Sequence, residues 1–189
     1  MGGGPAGLAA ATALARSLRS VVVVDAGEPR NAPAAGAHNV LGHEGIAPRD
    51  LLAAGRAELA AYGGILRTDR VRTVTRDDDG FALSLASGEQ LHARRLILAT
   101  GLVDELPDIP GVAALWGTDV LHCPYCHGFE VAGRRLGVLA TSPASIHQIE
   151  LVRQWSDDVT AFTAAAESLP DAVRARLIAR DIRIVTTPV

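Results

Sequence analysis

Met1-Gly2-Gly3-Gly4-Pro5-Ala6-Gly7-Leu8 opens the chain, and its glycines at positions 2, 4 and 7 fit the spacing G-x-G-x-x-G. At that spacing the first glycine permits a tight turn and the second lets backbone approach a pyrophosphate. The third lets a helix pack closely on a strand. An Ala-rich stretch, Leu8 to Leu18, follows without a breaker and predicts a helix. Its N-terminus would face the phosphates, where N–H groups and the helix dipole favour anions. Val21-Val22-Val23-Val24-Asp25 then reads as a buried parallel strand ending in an acid. Asp25 lies about 20 residues past the glycines, where a carboxylate can accept from ribose hydroxyls. The opening therefore predicts a dinucleotide site built on Gly2, Gly4, Gly7 and Asp25. A fingerprint of this kind should follow a strand. No residue precedes Met1 in this sequence, so the expectation is a protein that begins upstream.

Residues 26–47 are rich in glycine and proline and read as loop, with His38 and His43 as ordinary loop histidines. Pro48 to Tyr62 predicts an amphipathic helix, with Pro48 near its first position and Gly63-Gly64 at its stop. Arg70 to Arg76 and Phe81 to Ala86 read as strands joined by the hairpin signal Asp77-Asp78-Asp79-Gly80. Leu96-Ile97-Leu98-Ala99-Thr100-Gly101 reads as a buried strand ending in a small-residue turn. Leu106 to Gly111 holds two prolines and a glycine and is the expected connector. It divides the chain into domains 1–108 and 109–189. The second domain alternates strand (Arg135 to Ala140), helix (Pro143 to Trp155), strand (Val159 to Phe162), helix (Glu167 to Arg180) and strand (Ile182 to Thr186). That alternation argues for a parallel sheet. The expected class is α/β, with two Rossmann-like dinucleotide-binding units whose doubly wound parallel sheets are both incomplete.

The 189 residues are 48% hydrophobic and 21% charged, as in ordinary soluble α/β proteins. A net charge of -3 with no basic run gives no footprint for nucleic acid or an anionic membrane surface. All 18 basic residues are arginine. The apolar stretch Ala6 to Ala15 is too short to span a bilayer and lacks the charged flank of a signal peptide. The expected location is cytoplasmic, with no membrane partner.

His122-Cys123-Pro124-Tyr125-Cys126-His127 contains both cysteines of the chain. A dithiol at C-x-x-C spacing can close to a disulfide and reopen, and without an export signal it favours redox or metal chemistry over a structural staple. Haem attachment at C-x-x-C-H would need export and an axial ligand, and the sole methionine is Met1. Zinc usually draws ligand pairs from separated segments, so no metal site is expected. Cys-Pro-Tyr-Cys is also the glutaredoxin tetrapeptide, but here it stands far from the start, behind a nucleotide-binding segment. As a mere staple the pair closes too small a loop to stabilise much.

Taken in order, Gly2-Gly3-Gly4-Pro5-Ala6-Gly7, the Asp25 strand end, the Ala99-Thr100-Gly101 turn and Cys123-Pro124-Tyr125-Cys126 resemble the low-molecular-weight thioredoxin reductases. These belong to the two-dinucleotide-domain flavoprotein disulfide reductases. The resemblance covers essentially the whole chain. It implies that the first domain binds FAD through Gly2, Gly4, Gly7 and Asp25, with Ala99, Thr100 and Gly101 turning close to the cofactor. It implies that Cys126 faces the flavin and that Cys123 exchanges with a dithiol or disulfide substrate, protein or small molecule. It also implies a homodimer. Where typical members carry an acid after the second cysteine, this chain has His127. Imidazole can do the same proton transfer, and the replacement resembles the thioredoxin reductase-like dithiol oxidases, which pass electrons through FAD to oxygen.

The family's second glycine-rich turn binds NADPH. Here it is replaced by Ala140-Thr141-Ser142-Pro143-Ala144-Ser145, with no glycine and with a proline that removes one N–H. The stretch Thr163-Ala164-Ala165-Ala166 carries no cation for a 2′-phosphate. NADPH is therefore expected to bind weakly or not at all. The family's chain also continues well beyond this length. The competing expectation is a truncated, inactive chain that cannot retain FAD.

Overall fold

A computed structural model describes residues 1–164 and 169–189. The chain divides into two units, Met1–Asp104 and Glu105–Val189.

The first unit begins with helix α1 (Pro5–Arg16), which has proline in its first turn. Gly7, Leu8, Ala11 and Ala15 are buried, and their i, i+1, i+4, i+8 spacing places them on one face. The helix ends where Leu18 turns left-handed at φ 58° and the Arg19 N–H caps the Leu14 carbonyl. Strand β1 (Val22–Asp25) follows, then the long loop and helix α2 (Pro48–Ala61). Strand β2 (Ile65–Thr68) pairs parallel with β1 in the register Val22–Ile65 to Asp25–Thr68. The core of this layer joins Leu8, Ala11 and Ala15 of α1 to Val23 of β1 and to Leu52 and Leu59 of α2.

Strands β3 (Val71–Arg76), β4 (Phe81–Leu85) and β5 (Gln90–Ala93) form an antiparallel meander in that order. The Asp77–Gly80 turn joins the first two, as the sequence predicts, and Leu83 and Leu85 alternate into the buried face. Neither β2 nor β5 is anticipated by the sequence; each is a four-residue strand that exists through its partner.

One expectation is corrected. Leu96 to Gly101 is not a buried strand: Ile97 is 47% and Leu98 70% exposed, and the segment carries no strand ladder. Its strand-like partner is Met1, whose amine donates to the Ile97 carbonyl at 2.9 Å and whose carbonyl accepts from the Ala99 N–H at 2.9 Å. The Gly2 N–H donates in turn to Val24 O at 2.8 Å, so Met1-Gly2 links the end of β1 to residues 97–99. Two bonds to one residue tie the segment down but do not make a ladder or cover its apolar side chains.

In the second unit, short helices α3 (Val112–Leu115) and α4 (Pro124–His127) precede an alternating run. Strand β6 (Leu136–Leu139), helix α5 (Ser145–Val152), strand β7 (Val159–Phe162), helix α6 (Asp171–Ile178) and strand β8 (Arg183–Val185) follow in order. The strands pair in parallel as β6-β7-β8. Central β7 is buried along both faces, and Ala161, Ile149 and Leu177 are fully enclosed. Helix α5 is shorter than the expected Pro143 to Trp155. The expected start of the next helix at Glu167, and Ala165-Ala166 of the 2′-phosphate stretch, lie outside the described residues.

Candidate functional site

The glycine turn is built by steric necessity. Gly2 sits at φ 92°, and a Cβ there would fall 2.1 Å from the Ala99 carbonyl oxygen. A Cβ on Gly7 would fall 1.9 Å from the Gly2 carbonyl oxygen and 3.4 Å from the Ala99 methyl. Gly2, Gly7 and Ala99 are thus brought into contact, with Thr100 beside them. Gly4 differs, because a Cβ there would meet nothing within 4 Å. The turn therefore has two closed positions and one open one, and the open one is the N-cap of α1. This matches the division of labour that a pyrophosphate-binding turn needs.

Asp25 lies at the C-terminal end of β1 and accepts the Gly3 N–H on Oδ1 at 2.9 Å. Its Oδ2 accepts from Arg56 Nη2 on α2 at 3.1 Å. The sequence reading missed both partners. Gly3 occupies a variable position of the fingerprint, yet a Cβ there would lie 2.8 Å from Asp25 Cβ. Arg56 is 31 residues from Asp25, and nothing in its neighbourhood signals the contact. A carboxylate has about four acceptor sites, so two bonds leave capacity for ligand hydroxyls.

Two further pairs tie the loops of this unit. Arg30 Nε and Nη2 grip the Asp104 carboxylate at 2.7 and 2.5 Å, which raises the Arg30 pKa above its ordinary value. His38 Nδ1 lies 2.7 Å from Glu44 Oε1, and the Asn39 N–H donates to Glu44 Oε2 at 2.8 Å. Both hold the Glu44 carboxyl below its ordinary range, the His38 bond first. Gly101 closes the Ala99-Thr100-Gly101 turn at φ 68°.

In the second unit Cys123 and Cys126 form a disulfide with Cα atoms 5.3 Å apart. Cys123 is extended and caps α4, while Pro124 opens the helix where its missing N–H costs nothing. Cys126 and His127 follow on the same turn, and all three candidate residues are half-buried. Two residues that the sequence reading did not assign to the site hold this segment. Gln148 of α5 donates to the His122 carbonyl at 3.0 Å. The Trp155 ring stands edge-on to Tyr125 at 5.3 Å. Among the described residues no group of three His, Cys, Asp or Glu side chains is placed to hold a metal ion. None of the described helices is long and apolar enough to cross a membrane.

The turn after β6 is closed on itself. The N–H groups of Thr141 and Ser142 both donate to Ser145 Oγ, at 3.2 and 3.3 Å. Donors that a glycine-rich turn would offer to phosphate are here engaged by a side chain of the same turn.

Comparison with known proteins gives the family and the fold. Residues 1–185 match the pyridine nucleotide-disulphide oxidoreductase family. The chain is 39% identical over 178 residues to "Thioredoxin reductase tcpT" of Claviceps purpurea, across 89% of this chain and 56% of that protein. The crystal structure of HlmI is 48% identical with a TM-score of 0.93, over 97% of this chain and 59% of that one. The crystal structure of the oxidoreductase from Agrobacterium tumefaciens is 40% identical with a TM-score of 0.92, over 98% and 63%. The chain spans 56% and 58% of the lengths of two curated relatives, little more than half of each. By matched family and by fold, the chain belongs to the pyridine nucleotide-disulphide oxidoreductases and is thioredoxin reductase-like among them.

Proposed function

We propose that this chain provides the redox dithiol and the FAD-binding turn of a thiol–disulfide oxidoreductase. Residues 1–108 serve as the FAD-binding part, and residues 109–189 as a NAD(P)-binding-like part that carries the cysteines. The observation that carries the reading is the Cys123–Cys126 disulfide, half-buried and closed across one turn of α4. Supporting it is the glycine turn, whose open position at Gly4 fits a pyrophosphate. Gly2, Gly7, Asp25, Ala99, Thr100 and Gly101 complete that cradle. Bound FAD would supply a two-electron relay between the dithiol and a second donor or acceptor.

The exchange itself needs only the residues present. A substrate thiolate attacks Cys123 Sγ, the Cys123–Cys126 bond breaks, and Cys126 leaves as a thiolate. The second substrate thiolate then attacks the mixed disulfide and displaces Cys123. The substrate leaves as a disulfide, and its two electrons remain on the Cys123/Cys126 dithiol. The reverse sequence reduces a disulfide substrate. His127, next in the chain to Cys126, takes up or returns the proton. The self-capped turn at Thr141, Ser142 and Ser145 supports a further part of the reading, that NADPH is not the partner in this electron exchange. Oxygen is the alternative acceptor.

The test begins with a visible spectrum of the purified protein. Flavin absorption bands are expected. A preparation that stays colourless after FAD is added would establish the competing reading of an inactive chain. Anaerobic NADPH should leave the flavin bands in place, and rapid bleaching at micromolar NADPH would overturn the NADPH part alone.

A further inference from the structure

Asp25 is a carboxylate with a side chain only 16% exposed, placed beside a turn shaped for a diphosphate. Left alone, its charge would oppose that ligand. Arg56 stands against it: Nη2 donates to Oδ2 at 3.1 Å, while Oδ1 is held on the Gly3 N–H at 2.9 Å. The approach is set by helix packing. Gly55, the preceding residue on α2, has Leu8 of α1 so near that a Cβ would lie 3.1 Å from Leu8 Cδ1. Glycine inside a helix is unfavourable, and here it lets α2 come close enough to α1 for Arg56 to reach the end of β1. The contact is not a free surface pair, because Arg56 Nε is buried with no hydrogen-bond partner. The side chain is 39% exposed, so its burial is at Nε, where the unmade hydrogen bond is a cost, while Nη2 keeps its bond to Asp25.

We infer that Arg56 is a positioning residue of the dinucleotide site, fixing the Asp25 carboxylate and, through it, the Gly3 amide in the arrangement that receives the cofactor's ribose and pyrophosphate. The inference rests on the flavin reading above. Arg56 also neutralises Asp25, so that two carboxylate lone pairs can serve ribose hydroxyls without a net negative charge facing the phosphates.

The test compares the full chain with Arg56→Met, which keeps the apolar stem, and Arg56→Lys, which keeps the charge but not the planar fork. Two quantities are read: hydrogen exchange at the Gly3 amide without flavin, and FAD affinity by fluorescence titration. In Arg56→Met, Gly3 exchange should quicken about tenfold and the FAD Kd should rise about tenfold, with part of both restored in Arg56→Lys. Unchanged Gly3 exchange in Arg56→Met overturns the inference, as does equal acceleration along all of α1, which would be general loosening. Faster Gly3 exchange with unchanged FAD affinity also overturns it. Should the unsubstituted chain bind no FAD, the flavin reading fails, and Gly3 exchange still decides whether Arg56 positions Asp25.

Discussion

Gly7 touches Gly2: a Cβ on Gly7 would lie 1.9 Å from the Gly2 carbonyl oxygen. The first turn of α1 therefore rests on the backbone that precedes it, and neither partner is a side chain that can swing away. Gly7→Ala should cost about 1–3 kcal/mol through forced backbone displacement. Urea unfolding of the purified protein measures this, and an unchanged midpoint would refute the packing account.

Gly4→Ala separates stability from binding. Nothing lies within 4 Å of a Cβ there, so the unfolding midpoint should stay within about 0.5 kcal/mol of the parent. If the cofactor's phosphates approach at Gly4, FAD affinity should fall about tenfold or more, since a methyl would occupy their place. Unaltered affinity would move the phosphates elsewhere.

The two cysteines should behave differently when replaced singly. Cys126→Ser leaves Cys123 to form a mixed disulfide that no neighbouring thiolate resolves. Intact-mass spectrometry after incubation with a small disulfide should find that adduct on Cys126→Ser and little on Cys123→Ser. The opposite pattern would exchange the roles proposed for Cys123 and Cys126.

Gly128 follows α4, where a Cβ would lie 2.5 Å from the Pro124 carbonyl and 2.7 Å from the Trp155 ring. Gly128→Ala should push the dithiol turn off Trp155, at about 1–3 kcal/mol. Loss of the Tyr125–Trp155 edge contact would appear in the near-ultraviolet circular dichroism, and a superimposable spectrum would argue against it.

Acid should open two clasps. Glu44, bonded first by His38, and Asp77, bonded first by His92, both titrate below their ordinary values of 4.5 and 3.8. A carboxylate with a depressed folded pKa stabilises the fold above its unfolded pKa and stops doing so as pH falls through the folded value. The Asn39 amide resonance, whose N–H bonds Glu44, should titrate with a midpoint under 4.5. In His38→Ala the midpoint should rise toward 4.5. A parent midpoint at or above 4.5 would rule out the clasp.

Local spacing determined much of this protein. The positions of Gly2, Gly4 and Gly7 and the three- and four-residue steps from Leu8 to Ala11 to Ala15 prescribe a turn and a one-faced helix. The alternation after residue 134 prescribes a parallel sheet, and two cysteines three residues apart meet wherever the chain turns between them, as it does at α4. Each of these is a short-range constraint that any fold must honour. Tertiary structure decided the rest. Ile65-Leu66-Arg67-Thr68 is a strand because β1 offers it a ladder. Leu96 to Ala99, more apolar, is not one: its backbone bonds to Met1 form no ladder. Strand formation depends on what lies alongside, and residues alone do not carry that information. The same holds for Asp25. Sequence placed an acid at a strand end, but the grip of Arg56 and the hold on Gly3 arise from two helices packed through Gly55. Contacts between residues 22 and 31 apart form only when the core brings them together.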